Sequence, residues 1–448
     1  MLTLLLILSL QGGQIVVGGA AGHSSIAAAL EVAEPGDTVR VLPGTYREHV
    51  VISKPVTLAG QPGAVIDGGG SGVVVRVNAP ARVSGFLIRG SGSSQSQEDA
   101  GIMVEKADGV VIEDNALEDV LFGIYFKQSD EPIIRGNRIE GKDLPMSLRG
   151  DGIRLWYSRG GLIESNTLHR SRDIVIWFSD GTRVSGNRVT ASRYGLHYMY
   201  SDDNEFRNNE FIGNEVGAFL MYSKNILFYD NLFADARGVT GRGLGFKDTD
   251  GVRAEGNVIV RNATGIFIDN SPTTAHVVNR FTGNVLAFND VGVQLLPSVR
   301  SNEFRGNSFL SNVVPAAVTG AGDALKNDWT GNYWSEYAGF DGDGDGRGDT
   351  PFSYERLSDD LLGKYEELRV FNLGLAAAAL DALSRALPLL APRPLLVDSL
   401  PAVEPVGLES VESIAGGTRG PLAAGLLAIS LAVAGLVYGL RRSVGRSA

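Results

Sequence analysis

One asparagine recurs through most of the chain at a nearly constant interval, and this recurrence limits the fold more than any other feature. The recurring residues are Asn115, Asn137, Asn166, Asn187, Asn209, Asn231, Asn257, Asn284, Asn307 and Asn332. Successive members lie between 21 and 29 residues apart. A period of this length is typical of proteins in which each repeat stacks only on its neighbours.

The segments between these asparagines predict short strands. Runs such as GIRLWYS (152–158), IVIWFS (174–179) and GIFIDNS (265–271) alternate between apolar and other residues, as strands do. The 58 glycines supply tight turns between them. Three short strands in each repeat predict an all-β solenoid, a parallel β-helix. An asparagine fits one fixed corner, because it tolerates the left-handed conformation and its amides can stack in a ladder.

Both ends of the chain predict targeting segments. The apolar run at 2–10 predicts a signal peptide over 1–21, with a buried first strand as the alternative. The run at 420–440 has no charge and predicts a transmembrane helix over 419–442, with a buried helix of a soluble protein as the alternative. Arg441, Arg442 and Arg446 follow it, so the tail 443–448 is predicted to be cytoplasmic. We therefore expect a large exported domain, outside the cytoplasm, that is anchored in a membrane by one C-terminal helix.

Between these ends the sequence predicts three regions. The β-helix is placed at 22–340, and an Asp/Gly-rich loop with a C-terminal cap at 341–365. An amphipathic segment followed by a Pro-rich linker is placed at 366–418. The net charge of −11 and the absence of a basic stripe argue against a nucleic-acid partner. The chain has no cysteine, which excludes disulfides and thiolate ligands.

Two similar stretches, GLHYMYS (195–201) and GAFLMYS (217–223), are interpreted as the same strand on adjacent coils. Alternation then points every second side chain outward. The predicted outward residues are Arg154, Trp156, Val175, Trp177, His197, Met199, Phe219 and Met221, with Tyr125 on the preceding coil. So many apolar side chains on one outward face predict a partner-binding surface. The alternative is that a loop, 142–150, folds over this face.

Two sets of residues are candidate metal ligands, and no other cofactor is expected. His197, Met199 and Met221 offer one imidazole and two thioethers, which suit Cu(I), although packing or partner contact is the commoner role of such residues. Asp341, Asp343 and Asp345, with the Arg347 carbonyl and Asp349, follow the spacing of a calcium loop. That loop has Phe352 where the bidentate glutamate normally stands, and a solvated acidic turn is the alternative.

Four long stretches in order resemble the NosD family. They are VSGFLIRGSG (83–92), GDGIRLWYS (150–158), SRYGLHYMYSDDN (192–204) and GNYWSEYAGFDGDGDGRGD (331–349). The resemblance spans about 20–360 and implies a right-handed, carbohydrate-binding/sugar-hydrolase-like β-helix in the periplasm. It implies an accessory protein and not an enzyme, with no catalytic residues to carry over.

The same resemblance implies the partners. They are the ATPase and membrane subunits of an ABC transporter, nitrous oxide reductase and a copper chaperone lipoprotein. Together they would assemble the tetranuclear copper–sulfide site of the reductase.

Two other functions stay open at this point. Parallel β-helices host polysaccharide lyases and epimerases, which need clustered carboxylates beside a basic residue. The candidate residues for such a site are Asp151, Arg154, Asp173, Arg193, His197, Asp202 and Asp203. Their convergence in one cleft would favour an enzyme. The third possibility is a calcium-stiffened, glycan-binding surface protein without a link to copper.

Overall fold

The computed structural model describes residues 12–238, 240–320, 323–355, 375–387 and 393–407. These residues form two compact units, Met1–Glu205 and Phe206–Ala448, and the strand Glu205–Arg207 contains the boundary between them. In each unit three parallel sheets, here called A, B and C, run the length of a right-handed β-solenoid. The predicted parallel β-helix is therefore confirmed.

The first unit contains seven or more strands in each of its three sheets. Its sheet A consists of Gln14–Val17, Thr38–Val41, Thr57–Gly60, Arg82–Ser84, Val111–Glu113, Ile133–Arg135, Leu162–Glu164 and Arg183–Ser185. Its sheet B consists of Gly44–Tyr46, Ala64–Asp67, Leu87–Arg89, Ala116–Val120, Arg138–Gly141, Thr167–His169 and Arg188–Thr190. Its sheet C consists of Val50–Ile52, Val75–Val77, Ala100–Glu105, Phe122–Lys127, Ile153–Trp156, Ile174–Trp177 and Tyr194–Met199.

The second unit repeats the same pattern. Its sheet A consists of Leu227–Tyr229, Arg253–Glu255, Asn279–Thr282, Asn302–Arg305 and Asp328–Thr330. Its sheet B consists of Glu210–Ile212, Leu232–Ala234, Val258–Val260, Val285–Ala287, Ser308–Leu310 and Tyr333–Trp334. Its sheet C consists of Val216–Met221, Arg242–Lys247, Thr264–Asp269, Val291–Leu295 and Val314–Val318.

Few other elements occur among the described residues. An α-helix, Ile26–Val32, follows the first strand, and its Ser25 cap accepts a hydrogen bond from Ala28 N at 3.1 Å. A 3₁₀ turn covers Met146–Leu148, and a second α-helix covers Leu375–Ala386. An antiparallel pair joins Phe352–Tyr354 to Leu396–Asp398.

The recurring asparagines form buried ladders inside each unit. Asn166 Oδ1 accepts hydrogen bonds from the backbone N and the Nδ2 of Asn137, at 2.9 and 3.0 Å. Asn166 Nδ2 in turn donates to Asn187 Oδ1 at 2.9 Å. The same pattern continues from Asn209 to Asn332 in the second unit. Because each amide is bonded to the next coil, the ladder satisfies buried polar groups that would otherwise oppose folding.

The predicted left-handed conformation belongs to a different residue. The residue before each asparagine has positive φ, and the asparagine itself does not. These preceding residues are Asp114, Gly136, Ser165, Gly186, Asn208, Asp230, Gly256, Gly283, Gly306 and Gly331. The turn therefore needs a residue tolerant of positive φ immediately before the ladder residue, which explains why glycine precedes the asparagine so often.

The predicted boundary at residue 22 was too late. The strand Gln14–Val17 pairs in parallel with Thr38–Val41 and forms the first rung of sheet A. The β-helix therefore includes Gln14–Val17, which lies within the predicted signal peptide at 1–21. The apolar run at 2–10, which carries that prediction, lies outside the described residues.

The predicted linker over 366–418 also contains structured elements. The strand Leu396–Asp398 and the residues after it dock on the last coil, since Ala402 N donates to Asn332 O at 3.0 Å and Val406 O accepts from Ser308 Oγ at 2.9 Å. This part is a cap and not a free spacer. No helix in the described part of the chain is long and apolar enough to cross a bilayer, and the predicted span 419–442 falls outside that part.

Asp398 terminates the asparagine ladder. It is fully buried, and its carboxylate accepts hydrogen bonds from Gly331 N, Asn332 N, Asn332 Nδ2 and Trp334 Nε1, at 2.9 to 3.2 Å. It thus fills the place that the next asparagine would take. Without this carboxylate, four hydrogen-bond donors of the last coil would be left without an acceptor.

We predict that Asp398→Ala lowers the free energy of unfolding of the second unit by about 3 kcal/mol, because several buried donors lose their acceptor. Asp398→Asn should cost less, since one amide oxygen remains. The exposed Asp323→Ala serves as the control and should change stability little. Denaturant unfolding followed by tryptophan fluorescence measures this, because Trp334 lies against Asp398. Equal stability of Asp398→Ala and the control would disprove the capping role.

Candidate functional site

The predicted register of sheet C in the first unit is correct. Arg154 pairs with Tyr125 and Val175, and Trp156 pairs with Trp177. On the next coil Val175 pairs with His197, and Trp177 pairs with Met199. The predicted inward residues, Ile153, Leu155, Ile174, Ile176, Leu196 and Tyr198, are all fully buried. The outward side of sheet C therefore carries the predicted residues in the predicted columns.

Not all of those outward residues are accessible. Tyr125 points outward but is 1% exposed, because it belongs to a cluster with Met103, Leu121 and Phe122 that Leu144 of the 142–150 loop also contacts. The alternative of a covering loop thus holds for this coil. Val175 is also buried, at 1% exposure. These two residues cannot contact a partner directly, which corrects the predicted role of Tyr125.

In the second unit, Phe219 and Met221 lie on the outward side of the strand Val216–Met221. Phe219 is 8% exposed, because its ring packs beside Phe267 and Arg242, whose guanidinium carbon lies 5.4 Å from the ring centroid of Phe219. Phe219 is therefore a packed residue and not an open contact, against expectation. Met221 is half-buried and pairs with Lys247.

An aromatic patch remains open on the first unit, and we define it by Trp156, Tyr157, Trp177, Phe178, Met199 and Tyr200. The ring centroids of Trp156 and Trp177 lie 5.6 Å apart. Tyr157, Phe178 and Tyr200 stack face to face, with centroid distances of 4.5 and 5.2 Å and nearly parallel planes. Tyr157 and Tyr200 are each 45% exposed. Large rings at this exposure mark a contact surface.

The stacked rings of this patch were missed in the sequence. Tyr157, Phe178 and Tyr200 all have positive φ, between 49° and 54°. Bulky side chains rarely adopt this conformation, and such strain concentrates at functional positions. The available signal was the repeated order of an outward residue, an aromatic residue and a serine, as in WYS, WFS and MYS.

The serines that follow these aromatic residues have a structural role. Ser179 Oγ accepts from Ser158 N at 3.0 Å, and Ser201 Oγ accepts from Ser179 N at 2.9 Å. They form a second buried ladder at the corner beside the patch. In each repeat of the motif, the serine therefore stabilises the corner, and the two residues before it belong to the aromatic patch.

A buried charge cluster adjoins the aromatic patch. Asp173 accepts hydrogen bonds from both Nε and Nη2 of Arg193, from Tyr194 N at 3.1 Å and from His197 Nδ1 at 3.2 Å. Asp151 Oδ2 lies 3.5 Å from Arg154 Nη1. The Asp173 and Asp151 side chains are only 1% and 7% exposed. Two carboxylates thus sit beside three basic residues, Arg154, Arg193 and His197.

The two carboxyl groups of this cluster have opposite pKa shifts. Burial, together with the nearby charge of Asp173, raises the pKa of Asp151 from 3.8 to about 7. Burial also opposes ionisation of Asp173, yet hydrogen bonds from His197 and Arg193 outweigh burial and lower its pKa. Asp173 therefore stays ionised and fixes His197 through Nδ1, which leaves Nε2 of that ring for other contacts.

Arg154 lies among four aromatic rings. Its guanidinium carbon is 4.9 Å from the ring centroid of Tyr125, 5.2 Å from that of Trp156 and 5.3 Å from that of Trp177, with Phe122 at 5.9 Å. Arg154 Nε and Trp177 Nε1 are buried and have no hydrogen-bond acceptor in the described part of the chain. Donors in this state favour an acceptor supplied from outside.

The structure groups the predicted copper ligands only in part. His197 and Met199 lie two residues apart on the outward side of one strand in the first unit, and both are half-buried. An imidazole Nε2 and a thioether suit Cu(I), so these two residues fit such an ion as cargo. Met221 belongs to the second unit. The copper role of these three residues stays a prediction.

The predicted calcium loop has three converging carboxylates. Oxygens of Asp341, Asp343 and Asp345 lie within 4.8 Å of one another. Asp349 is not part of this group, and its Oδ2 accepts from Gly342 N at 2.8 Å. The Arg347 backbone bridges to Ala402 of the cap. Three carboxylate oxygens suit calcium, and its binding here stays a prediction.

Comparisons with known proteins agree with this architecture. Residues 66–190 match the family described as right handed beta helix region, and residues 136–339 match periplasmic copper-binding protein (NosD). The aromatic patch and the charge cluster lie within the second match. Fold and family match thus define a right-handed β-helix protein.

Two curated relatives are each named probable ABC transporter binding protein NosD. The one from Pseudomonas aeruginosa is 30% identical over 383 residues, which cover 81% of this chain and 88% of the relative. The one from Stutzerimonas stutzeri is 27% identical over 382 residues, covering 78% of this chain and 83% of the relative. The chain belongs to the NosD family.

Solved structures with a similar fold include sugar-processing enzymes. The A-module of a mannuronan C-5 epimerase from Azotobacter vinelandii is 15% identical, with a TM-score of 0.45, covering 69% of this chain and 94% of the module. An alginate lyase from Paenibacillus is 16% identical, with a TM-score of 0.37, covering 70% of this chain and 99% of the lyase.

The raised pKa of Asp151 predicts a pH dependence. Because the folded state holds this proton more tightly than the unfolded state, the free energy of unfolding falls as pH rises from about 4 to about 7 and is then constant. Asp151→Asn should remove this part of the fall. The check is the difference in thermal midpoint between the wild type and the variant across this range.

Asp143→Asn is the control for this pH experiment, since the Asp143 side chain is 88% exposed. Its pH profile should match that of the wild type. If the profile of Asp151→Asn also runs parallel to the wild type, the pKa of Asp151 is not raised.

Proposed function

We propose that this protein is a periplasmic accessory protein that works with an ABC transporter to assemble the tetranuclear copper–sulfide site of nitrous oxide reductase. The observation that carries the proposal is the aromatic patch on the first unit, which lies inside the part of the chain that matches NosD. Its relatives are named ABC transporter binding proteins, which supports the transporter as partner. The reductase and a copper chaperone lipoprotein are the further partners proposed.

The form of the patch favours a protein partner over a sugar. Tyr157, Phe178 and Tyr200 stack on one another, so both faces of the Phe178 ring and one face of each tyrosine ring are covered. A sugar ring stacks on an aromatic face, whereas a protein surface packs equally well on edges. Trp156 and Met199 add adaptable apolar area beside them. We therefore assign the patch to docking of a partner.

His197 and Met199 lie next to this docking surface. The fixed orientation of His197 on Asp173 resembles the arrangement in which a carboxylate holds a metal-binding histidine through its other nitrogen. Copper would be cargo, passed between partners, and this chain would supply a transient pair of ligands. Cu(I) transfer is compatible with few soft ligands and partial exposure.

The test is the metal and sulfide content of nitrous oxide reductase purified from the host after deletion of this gene. We expect a filled dinuclear copper site and an empty tetranuclear site. Restoring the gene with Tyr157→Ser and Tyr200→Ser together should leave at least half of the tetranuclear sites empty, because these exposed rings form the docking surface. Val51→Ser, at another exposed apolar position of the first unit, should restore the site fully.

His197→Ala separates docking from copper handling. It should still bind the transporter in a pull-down and still fail to fill the tetranuclear site. A host in which both copper sites fill without this gene would disprove the proposal.

One observation favours a second candidate, chemistry on acidic polysaccharides. Asp151, Asp173, Arg193 and His197 converge on one outward face, which is the grouping that such enzymes need. The backbone of Asp202 is fixed at a corner, where its N–H donates to Asp180 Oδ1 at 2.9 Å. Against this candidate, the Asp173 carboxylate already binds four donors. Release of unsaturated or epimerised products from polyuronates by the purified protein would establish it.

A further inference from the structure

In the helix Leu375–Ala386 and the residue after it, three leucines lie on the exposed side. Leu380, Leu383 and Leu387 are 37%, 46% and 47% exposed. Ala377 and Ser384 are each 5% exposed. Leu387 N donates to Leu383 O at 3.0 Å, so the helical hydrogen bonding includes Leu387. The buried positions of the helix therefore carry small residues, whereas the leucines lie at exposed positions.

This arrangement is the reverse of a helix on a water-soluble protein. Positions 380, 383 and 387 share one face by their spacing, and 377, 381 and 384 share the neighbouring face, about 90° further round the helix. An ordinary surface helix turns the leucine face to the core. A helix that turns it outward has its apolar partner elsewhere, which can be a lipid, a protein or a second copy.

The path of the chain shows which of these partners is near. Leu396–Asp398 is fixed on the last coil, and the chain stays docked there through Val406. Only twelve residues, 408–419, then precede the uncharged run at 420–440. Fully extended, they reach about 40 Å. The run is long enough to cross a bilayer, and this predicted span would place the end of the second unit within about 40 Å of a membrane surface.

The helix is tied to the same end of the unit. Nine residues, 387–395, separate its last residue from the strand at Leu396, a reach of about 30 Å. The leucine face is thus within reach of the membrane that the predicted span would place at this end of the unit.

We propose that the helix Leu375–Ala386 lies in the headgroup region of the bilayer, with Leu380, Leu383 and Leu387 toward the acyl chains. Residues 375–387 contain one aspartate and one arginine, so their net charge is zero. Binding should therefore depend on apolar burial and little on the charge of the lipid. This inference concerns the membrane surface and does not depend on the role in copper-site assembly.

The absence of cysteine permits a direct test on the full chain. Leu380→Cys, Leu383→Cys and Leu387→Cys are each labelled with an environment-sensitive NBD fluorophore and reconstituted into phosphatidylcholine vesicles. We expect blue-shifted emission and at least a twofold loss of fluorescence with lipids that carry a shallow doxyl quencher. Adding phosphatidylglycerol should change neither result.

Leu325→Cys is the matched control, because Leu325 is a leucine of the same unit with 50% exposure. Its label should keep the emission of a water-exposed fluorophore. The proposal fails if the helix labels behave like this control. It also fails if they become shielded only when the transporter's membrane subunit is added, which would assign the leucine face to that protein, or only at high protein density, which would assign it to a second copy.

Discussion

The buried hydrogen bond from one asparagine to the next is the constraint on which the rest of the structure depends. Each amide accepts from the coil before it and donates to the coil after it, as between Asn115, Asn137 and Asn166. A rung without a successor would leave polar groups unpaired in the core. The solenoid therefore needs an explicit end, and Asp398 supplies it with a carboxylate in place of an amide.

The ladder also determines where other residues can vary. Most corners place a residue with positive φ just before a ladder residue, and this holds for Asn187 as it does for Ser179 and Asn262. Glycine is the least strained choice at such a position. Where an aromatic residue stands there instead, as at Phe178, its ring projects from the corner and stacks on the rings of neighbouring coils. The aromatic patch thus arises because successive coils carry an aromatic residue at a corner position where glycine would be less strained.

The repeat architecture explains how much the sequence could predict. Period and alternation depend on local spacing, so they gave the parallel β-helix and the register of Arg154, Trp156, Trp177 and His197 correctly. Exposure depends on insertions between coils, and spacing carries no information about where an insertion folds. The sequence therefore left a covering loop at 142–150 as one of two alternatives, and only the structure shows Leu144 of that loop packed against the cluster that buries Tyr125.

For the same reason, the spacing of residues in the sequence did not predict contacts between distant segments. Asp398 lies 66 residues after Asn332 and looks like part of a linker, because the strand that contains it has no repeat to align with. The pairing of Arg193 with Asp173 joins consecutive coils, but each residue alone resembles an ordinary turn residue. The left-handed position was misassigned by one residue because an asparagine tolerates that conformation too, and only the ladder requirement separates the two.

The position of the charge cluster beside the aromatic patch bears on how such a surface can work. A solenoid face is long and flat, so it can offer a partner a wide apolar contact without closing around a small molecule. Asp173 binds Arg193 and His197 firmly, which keeps an ionised carboxylate out of the contact and still holds His197 at its edge. An apolar surface and a fixed imidazole thereby lie side by side on one sheet. Transfer of an ion between two proteins requires a surface that holds the proteins together and a ligand that stays accessible to the ion.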